Sequence, residues 1–190
     1  RKEMRRQFGF EDKFVFLTVS RNQSRKNIPV LLRAWKIFSE LPETKGRVIL
    51  WPHMNFKDPM GWDIGDLFTV LKLRNDSINY YNQIAYGRSE LILLSDQELA
   101  KLYQLADAFV LLAGEGFGLP TFEAMATGLP CILLDEAASS ELGANDRAIL
   151  VPKTGSQTWT GAHLTERAIP DVDATVRAML EMYRNREKRE

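Results

Sequence analysis

The sequence predicts an α/β protein with a doubly wound parallel sheet. Short, almost continuous apolar runs, typical of strands buried on both faces, recur along the chain, and segments with helical apolar spacing lie between them. The chain has 190 residues, of which 45% are hydrophobic and 26% charged, as in an ordinary globular protein with one core. We therefore expect a single domain over residues 1–190.

Each predicted element follows from its local pattern. Residues 14–20 form a nearly continuous apolar and β-branched run, which predicts the first strand. A polar loop over 21–27 follows, and helical spacing with a permitted early proline predicts a helix over 28–41. The later predicted elements are strands at 46–52, 108–112, 130–134 and 148–151, short strand candidates at 78–81 and 91–94, and helices at 63–72, 96–106, 120–127 and 171–189. The aromatic-rich segment 52–88 fits either a packed excursion or a functional flap.

Composition excludes several classes of protein. Basic and acidic residues number 25 each, so no overall field attracts nucleic acid or an anionic membrane, and a polyanion site must be local. The longest apolar runs are far shorter than the roughly 20 residues that span a bilayer. Cys131 lies in an apolar run and fits the core, while His53 and His163 show no ligand spacing. We expect a cytoplasmic protein without a metal or other cofactor, and leave open a membrane association of the full-length protein.

The stretch 113–130 is the most informative part of the chain. It follows a predicted buried strand and opens a predicted helix, so it lies at the carboxyl edge of the sheet, where open α/β folds bind ligands. Gly114, Gly116 and Gly118 let the backbone approach a ligand closely. The free amides at the helix start, near residues 119–121, favour a phosphate.

Two acids, Glu115 and Glu123, bracket this loop with seven residues between them. Glu123 can accept hydrogen bonds from the vicinal hydroxyls of a ribose, and Glu115 can accept them from sugar hydroxyls nearer a diphosphate. The alternative is that Glu115 is an ordinary surface acid and Glu123 only complements the helix dipole. The glycines between the acids, together with the strand before and the helix after them, favour a ligand site.

This stretch, EGFGLPTFEAMATGLP, resembles the Glu-x7-Glu motif of retaining glycosyltransferases with two facing Rossmann-like domains, the GT-B fold. It is similar to the C-terminal, donor-binding half of the family 4-like members, also called glycosyl transferases group 1. The resemblance implies that Glu123 holds the donor ribose and Glu115 contacts the transferred sugar. It also implies a donor-binding loop made of Gly116, Phe117, Gly118, Leu119, Pro120 and Thr121.

Two further segments resemble the same family. In residues 20–27, the resemblance implies that Arg21 and Lys26 grip the donor diphosphate, with Arg25 as an ambiguous neighbour. Cations there would stabilise the charge that grows on the leaving group. Around Leu94 and Ser95, relatives read the nucleotide base through backbone groups. The equally open alternative is a plain helix cap at Ser95.

The resemblance implies transfer of a sugar from a nucleoside diphosphate sugar, with UDP and GDP as the expected carriers, and with retention of configuration. The acceptor, a sugar, lipid or protein, would be held by an N-terminal domain. Because the chain starts without methionine and just before the first strand, we expect an excised fragment that binds donor without efficient transfer. Residues 134–141 depart from the family in lacking the glycine pair that many relatives carry.

Three alternative functions share features with this sequence. A nicotinamide-dependent oxidoreductase would need G-x-G-x-x-G after the first strand, yet no glycine occurs between that strand and Gly46. A nucleotide-sugar 2-epimerase shares the two-domain architecture and stays open, as does a non-catalytic module that binds nucleotide sugars.

Overall fold

The structure, a computed structural model, describes residues 2–79, 94–159 and 165–185. The described residues form a parallel sheet of five strands in the order β2-β1-β3-β4-β5. The strands are β1 (Phe14–Val19), β2 (Val48–His53), β3 (Ala108–Leu111), β4 (Cys131–Leu134) and β5 (Ala148–Val151). Nearly every residue of the first four strands is buried, as the continuous apolar runs predict.

Helices cover both faces of the sheet. They are α1 (Lys2–Gln7), α2 (Ile28–Glu40), α3 (Ile64–Leu71), α4 (Asp96–Leu105), α5 (Leu119–Ala126), α6 (Ala138–Gly143) and α7 (Val172–Arg184). One apolar core joins the sheet to α2, α3 and α7, and a second joins it to α4 and α5. Consecutive strand residues divide between the two cores, since Phe16 belongs to the first and Leu17 to the second. The predicted doubly wound parallel sheet is confirmed.

Most predicted elements are present with boundaries shifted by one or two residues, and side-chain caps define several helix starts. Asp63 accepts a hydrogen bond from the amide of Asp66 (3.1 Å) at α3, and Asp171 accepts one from the amide of Ala174 (2.6 Å) at α7. The predicted strand at 78–81 is represented by one parallel bridge between Ile78 and Leu50. Residues 80 and 81 of that segment, and residues 91–93 of the next candidate, lie outside the described residues.

Two helices and one hairpin were not predicted. They are α1, α6 and an antiparallel hairpin of β6 (Lys153–Trp159) and β7 (Thr165–Pro170) that lies between β5 and α7. The two helices have only six residues each, and β6 carries no apolar alternation, so no period marks them. Tertiary contacts hold α1 in place, where Arg5 forms an ion pair with Asp107 on the loop before β3.

The strand order creates a crevice at one edge of the sheet. From β1 the chain winds outward to β2 on one side, and from β3 it winds to β4 on the other. The loops that leave the carboxyl ends of β1 and β3 therefore diverge at the topological switch point, where α/β folds bind ligands. No helix among the residues described is long and apolar enough to cross a membrane.

Candidate functional site

Lys26 and Glu115 meet at the switch point. Lys26 closes a short 3-10 turn after β1, and Glu115 follows β3. The Lys26 ammonium donates a hydrogen bond to Glu115 Oε1, and both side chains are buried, with 7% and 11% exposure. Arg25 Nη1 lies 3.7 Å from the other carboxylate oxygen. Burial lowers the pKa of Lys26 and the Glu115 carboxylate raises it, while the positive charges of Arg25 and Arg167 lower it further.

Arg21 lies on the same loop but has a different partner. Its Nε and Nη2 donate to the carboxylate of Asp58 at 2.8 and 3.3 Å. Asp58 is carried by the segment after β2, and its Oδ1 also accepts the amide of Met60 at 2.9 Å. The hydrogen bond with Asp58 raises the pKa of Arg21 and lowers that of the carboxyl group. The two predicted cations therefore occupy one edge of the sheet in separate ion pairs.

The segment after β2 packs against the Arg21–Lys26 loop. The buried side chain of Asn22 donates to the carbonyl of Trp62 (2.7 Å) and accepts from its amide (3.1 Å). A side chain at Gly61 would lie 2.3 Å from the carbonyl oxygen of Asn22, so this close approach requires glycine. Phe56 is buried in the first core. Residues 54–62 thus form the packed excursion rather than a free flap, and the part of 52–88 beyond residue 79 lies outside the described residues.

The glycine loop ends at Gly118, which precedes α5 with a φ of 85°. The first backbone hydrogen bond of α5 runs from the amide of Phe122 to the carbonyl of Gly118 (2.9 Å). The amides of Leu119 and Thr121 precede that bond, whereas Pro120 has no N–H and contributes no donor. Of the three backbone N–H donors expected at residues 119–121, two are therefore present.

The side chains of the same loop divide into exposed and buried groups. Phe117, Leu119 and Phe122 are 66%, 60% and 55% exposed, and the two phenylalanine rings lie 6.2 Å apart. Thr121 is fully buried, and its hydroxyl has no hydrogen-bond partner among the described residues. At Gly116, an added side chain would meet no described atom within 4 Å, so packing does not require glycine there.

Glu123 is the fifth residue of α5 and contacts α4. Its Oε2 accepts a hydrogen bond from the hydroxyl of Tyr103 at 2.8 Å. Burial of Tyr103 and this hydrogen bond raise the pKa of the tyrosine. No described residue donates to the other oxygen, Oε1. The carboxylate is therefore oriented by a buried tyrosine, and its second oxygen has no donor among the described residues.

Ser95 caps α4 with the predicted capping box. Its amide and hydroxyl donate to Glu98 Oε2 at 2.8 and 2.7 Å, and its carbonyl accepts from the amide of Leu99 at 2.9 Å. Leu94 is half-buried against the second core. The cap thus engages the polar groups of Ser95, and contact of Leu94 and Ser95 with a base stays a prediction.

Ala137 marks the loop that departs from the family pattern. Its φ of 52° and ψ of −136° are strained for a residue with a side chain. Ala137 bridges to Glu115, and the amide of Ala138 donates to the Glu115 carbonyl at 3.1 Å. The loop after β4 therefore supports the backbone of Glu115 while holding an alanine where glycine fits best.

Cys131, His53 and His163 are residues without an expected ligand role. Cys131 is buried in the second core, where burial raises the pKa of its thiol to about 12, as expected of a core residue. Burial lowers the pKa of His53 at the end of β2. His163 lies outside the described residues. Within the part of the chain that the structure describes, no group of three or more His, Cys, Asp or Glu could hold a metal ion.

Sequence reasoning missed Asp58, Tyr103 and Arg167, which contact or adjoin the predicted residues. Asp58 and Tyr103 lie in other elements, 37 and 20 residues away from the partners they bind. No local spacing signals such contacts. The sequence indicates Arg25 only as an ambiguous neighbour of Lys26, because its position beside Glu115 depends on the 3-10 turn.

Comparison with known proteins places the chain in a family. Residues 75–185 match the family Glycosyl transferases group 1. Mannosylfructose-phosphate synthase of Agrobacterium fabrum (strain C58 / ATCC 33970) is 30% identical over 134 residues, which cover 70% of this chain and 28% of that protein. The chain therefore spans less than a third of the length of this relative.

Solved structures share the fold. The C-terminal domain of the glycosyl transferase group 1 family protein LpcC from Francisella tularensis matches the whole chain and 85% of its own length, with a TM-score of 0.72 and 16% identity. HepE from Anabaena, in complex with UDP-glucose, matches 80% of this chain and 38% of its own, with a TM-score of 0.60 and 21% identity. The chain belongs to the glycosyl transferases group 1 family, and its fold is the Rossmann-like fold of the C-terminal domain of a GT-B glycosyltransferase.

Proposed function

We propose that this chain is the nucleotide-sugar-binding domain of a retaining glycosyltransferase of the family 4 type, a hexosyltransferase that uses a UDP- or GDP-linked sugar. The observation that carries the proposal is the contact between Lys26 and Glu115 at the switch point of the sheet. The names of the relatives support it, since one is a mannosylfructose-phosphate synthase and another binds UDP-glucose.

The diphosphate would lie between the loop after β1 and the start of α5. As the bond from the anomeric carbon to the diphosphate oxygen breaks, negative charge grows on the leaving group. Lys26 and Arg21 stabilise that charge more strongly in the transition state than in the ground state, so they accelerate the reaction without a metal ion. The amides of Leu119 and Thr121 supply further donors at the helix N-terminus.

Donor binding would exchange the partners of the buried ion pair. Lys26 turns from Glu115 to the diphosphate, and the Glu115 carboxylate becomes free to accept hydrogen bonds from hydroxyls of the transferred sugar. Glu123 keeps its hydrogen bond from Tyr103 and accepts from the ribose through its remaining oxygen. In the absence of ligand, the ion pair compensates the buried charges of Lys26 and Glu115. Without the pair, each buried charge would be destabilising.

The acceptor would bind a preceding domain, which faces the same edge of the sheet. The oxygen of an acceptor hydroxyl bonds to the anomeric carbon on the face from which the diphosphate leaves, and its proton passes to the departing diphosphate. We propose a cytoplasmic enzyme that associates with a membrane only through other parts of the protein, and we expect this chain alone to bind donor without efficient transfer.

Thermal unfolding with UDP-glucose, GDP-mannose and ADP-glucose tests the proposal. A ligand at 100 times its Kd stabilises the folded state by about 2.7 kcal/mol, because it binds that state alone. For a domain of this size the melting temperature should rise by roughly 5–10 °C. Uridine, guanosine and adenosine are the controls. The proposal fails if no nucleotide sugar raises the melting temperature at millimolar concentration. Transfer, epimerisation and hydrolysis assays on the full-length protein then distinguish a transferase from an epimerase or a binding module.

A further inference from the structure

Arg167 lies beside the loop that carries Lys26, although it comes from the hairpin that sequence patterns did not predict. Its neighbour Ala168 is buried, and the Ala168 carbonyl accepts a hydrogen bond from the side-chain amide of Asn27 at 3.1 Å. The same amide donates to the carbonyl of Leu112 at 2.8 Å. One buried asparagine therefore ties β7 both to the loop after β1 and to the exit of β3.

The guanidinium of Arg167 has no partner among the described residues. Its side chain is half-buried, and its Nε is completely buried without a hydrogen bond. Other cations in such positions are paired, since Lys26 binds Glu115 and Arg5 binds Asp107. A guanidinium withdrawn from water without an acceptor destabilises the fold, so such groups are retained mainly for a ligand or a partner.

The charges around Arg167 favour an anion. Arg25 and Lys26 lie against the Glu115 carboxylate, and Arg167 lies close enough to Lys26 for its positive charge to act on the lysine. The Lys26 side chain therefore has two further positive charges near it and pairs with one carboxylate. Burial lowers the pKa of Lys26, and the nearby charges of Arg25 and Arg167 lower it further. The molecule as a whole carries no net charge, so this group of positive charges is a local property of the rim.

We propose that Arg167 binds a phosphoryl group of the ligand held by Lys26 and Glu115, through the planar donor pattern that suits phosphate oxygens. This inference rests on the proposed function. Two sources of the phosphoryl group share this chemistry: the diphosphate of the donor and a phosphate on a sugar acceptor. Arg167 is then a third cation of the site, beside Arg21 and Lys26.

The test compares Arg167→Gln and Arg167→Lys with the wild-type chain by calorimetric titration. The ligands are UDP or GDP, the matching nucleoside, and glucose 6-phosphate. Arg33→Gln is the matched control, because Arg33 is an exposed arginine on α2. We expect Arg167→Gln to weaken binding of the nucleoside diphosphate about tenfold to a hundredfold, Arg167→Lys to weaken it less, and Arg33→Gln to leave it unchanged. Nucleoside binding should be equal in all four proteins.

The outcomes separate this inference from the proposed function. If glucose 6-phosphate alone binds more weakly to Arg167→Gln, the phosphoryl group is that of an acceptor, and the inference holds. If the wild-type chain binds nucleoside diphosphates and both Arg167 variants bind them and glucose 6-phosphate equally well, the inference fails and the proposed function stands. If the wild-type chain binds no nucleotide, the proposed function itself fails. The melting temperature without ligand should not fall in Arg167→Gln, and a large fall with equal loss of nucleoside affinity would assign Arg167 a purely structural role.

Discussion

Arg21 and Lys26 lie five residues apart on one loop, yet their surroundings differ sharply. Lys26 is buried and pairs with Glu115 across the switch point, whereas the Arg21 side chain is 57% exposed and pairs with Asp58 on the neighbouring excursion. Removing one partner of a buried pair is destabilising because it leaves an uncompensated buried charge, whereas a pair whose cation is exposed is screened by water and salt and contributes little. Under the proposed function, two residues with the same role toward a ligand therefore differ in their effect on stability.

The largest expected effect is that of Lys26→Met. The substitution leaves Glu115 buried with only Arg25 nearby, and should lower the free energy of unfolding by on the order of 3 kcal/mol. Urea unfolding measures this loss. The double variant Lys26→Met with Glu115→Gln removes both charges and should recover most of it. If the single variant is as stable as the wild-type chain, the difference between the two cations disappears.

Glu123→Ala should have an intermediate effect on the fold. It leaves the hydroxyl of Tyr103 buried without its acceptor, which costs about 1–2 kcal/mol. Adding Tyr103→Phe removes the orphaned hydroxyl and should restore stability without restoring nucleotide affinity. Denaturant unfolding and nucleotide titration on the same three proteins separate the two effects. Failure of the second substitution to restore stability would show that Glu123 supports the fold in another way.

Ala137→Gly tests the backbone that supports Glu115. Glycine relieves the strained positive φ of Ala137, which should raise the free energy of unfolding by about 1 kcal/mol. Ala144→Gly is the matched control, since Ala144 has an ordinary φ of −59°, and glycine there should be slightly destabilising. Thermal unfolding of both variants checks the sign, and the strain interpretation is wrong if the two respond alike.

Arg21→Met should have the smallest effect on folding. The Arg21 side chain is exposed, and the Asp58 carboxylate, although only 8% exposed, keeps its hydrogen bond from the amide of Met60. The free energy of unfolding, obtained from the urea midpoint, should therefore fall by about 0.5 kcal/mol or less. Under the proposed function, binding of a nucleoside diphosphate should nevertheless weaken about tenfold, because a charged hydrogen bond to the ligand is lost. A large shift of the midpoint would mean that Arg21 and Lys26 do not differ as described.

Local patterns predicted the sheet because its elements are defined by periodicity and by caps. The runs at 14–20 and 108–112 required burial on both faces, and Ser95 with Glu98 matched a capping box. The hairpin of β6 and β7 had no such signal, because its strands carry few apolar residues and are held by pairing with each other and by Asn27. Short elements without apolar periodicity depend on tertiary contacts, which local sequence patterns do not predict.

In the candidate site, too, local patterns predicted some features and tertiary contacts decided the others. Its loops follow strands, so the sequence was sufficient to predict that Lys26 and Glu115 would lie at one edge of the sheet. It could not predict that the two side chains bind each other, because that contact depends on how the loops after β1 and β3 pack together. It could not predict that Arg21 pairs with Asp58, because that contact depends on how the excursion after β2 packs on the loop after β1. Pro120 removes one of the donors expected at residues 119–121, because proline has no N–H.

The amino-acid sequence by itself determined the α/β class, the positions of the main strands along the chain and the loops that carry the candidate site residues, because apolar periodicity and glycine spacing are local properties of the chain. Only the tertiary structure decided the partners of each charge: Lys26 with Glu115, Arg21 with Asp58, Glu123 with Tyr103, and Arg167 with none of the residues described. Ion pairing depends on distances of a few ångströms between segments far apart along the chain, and such distances exist only after the chain has folded.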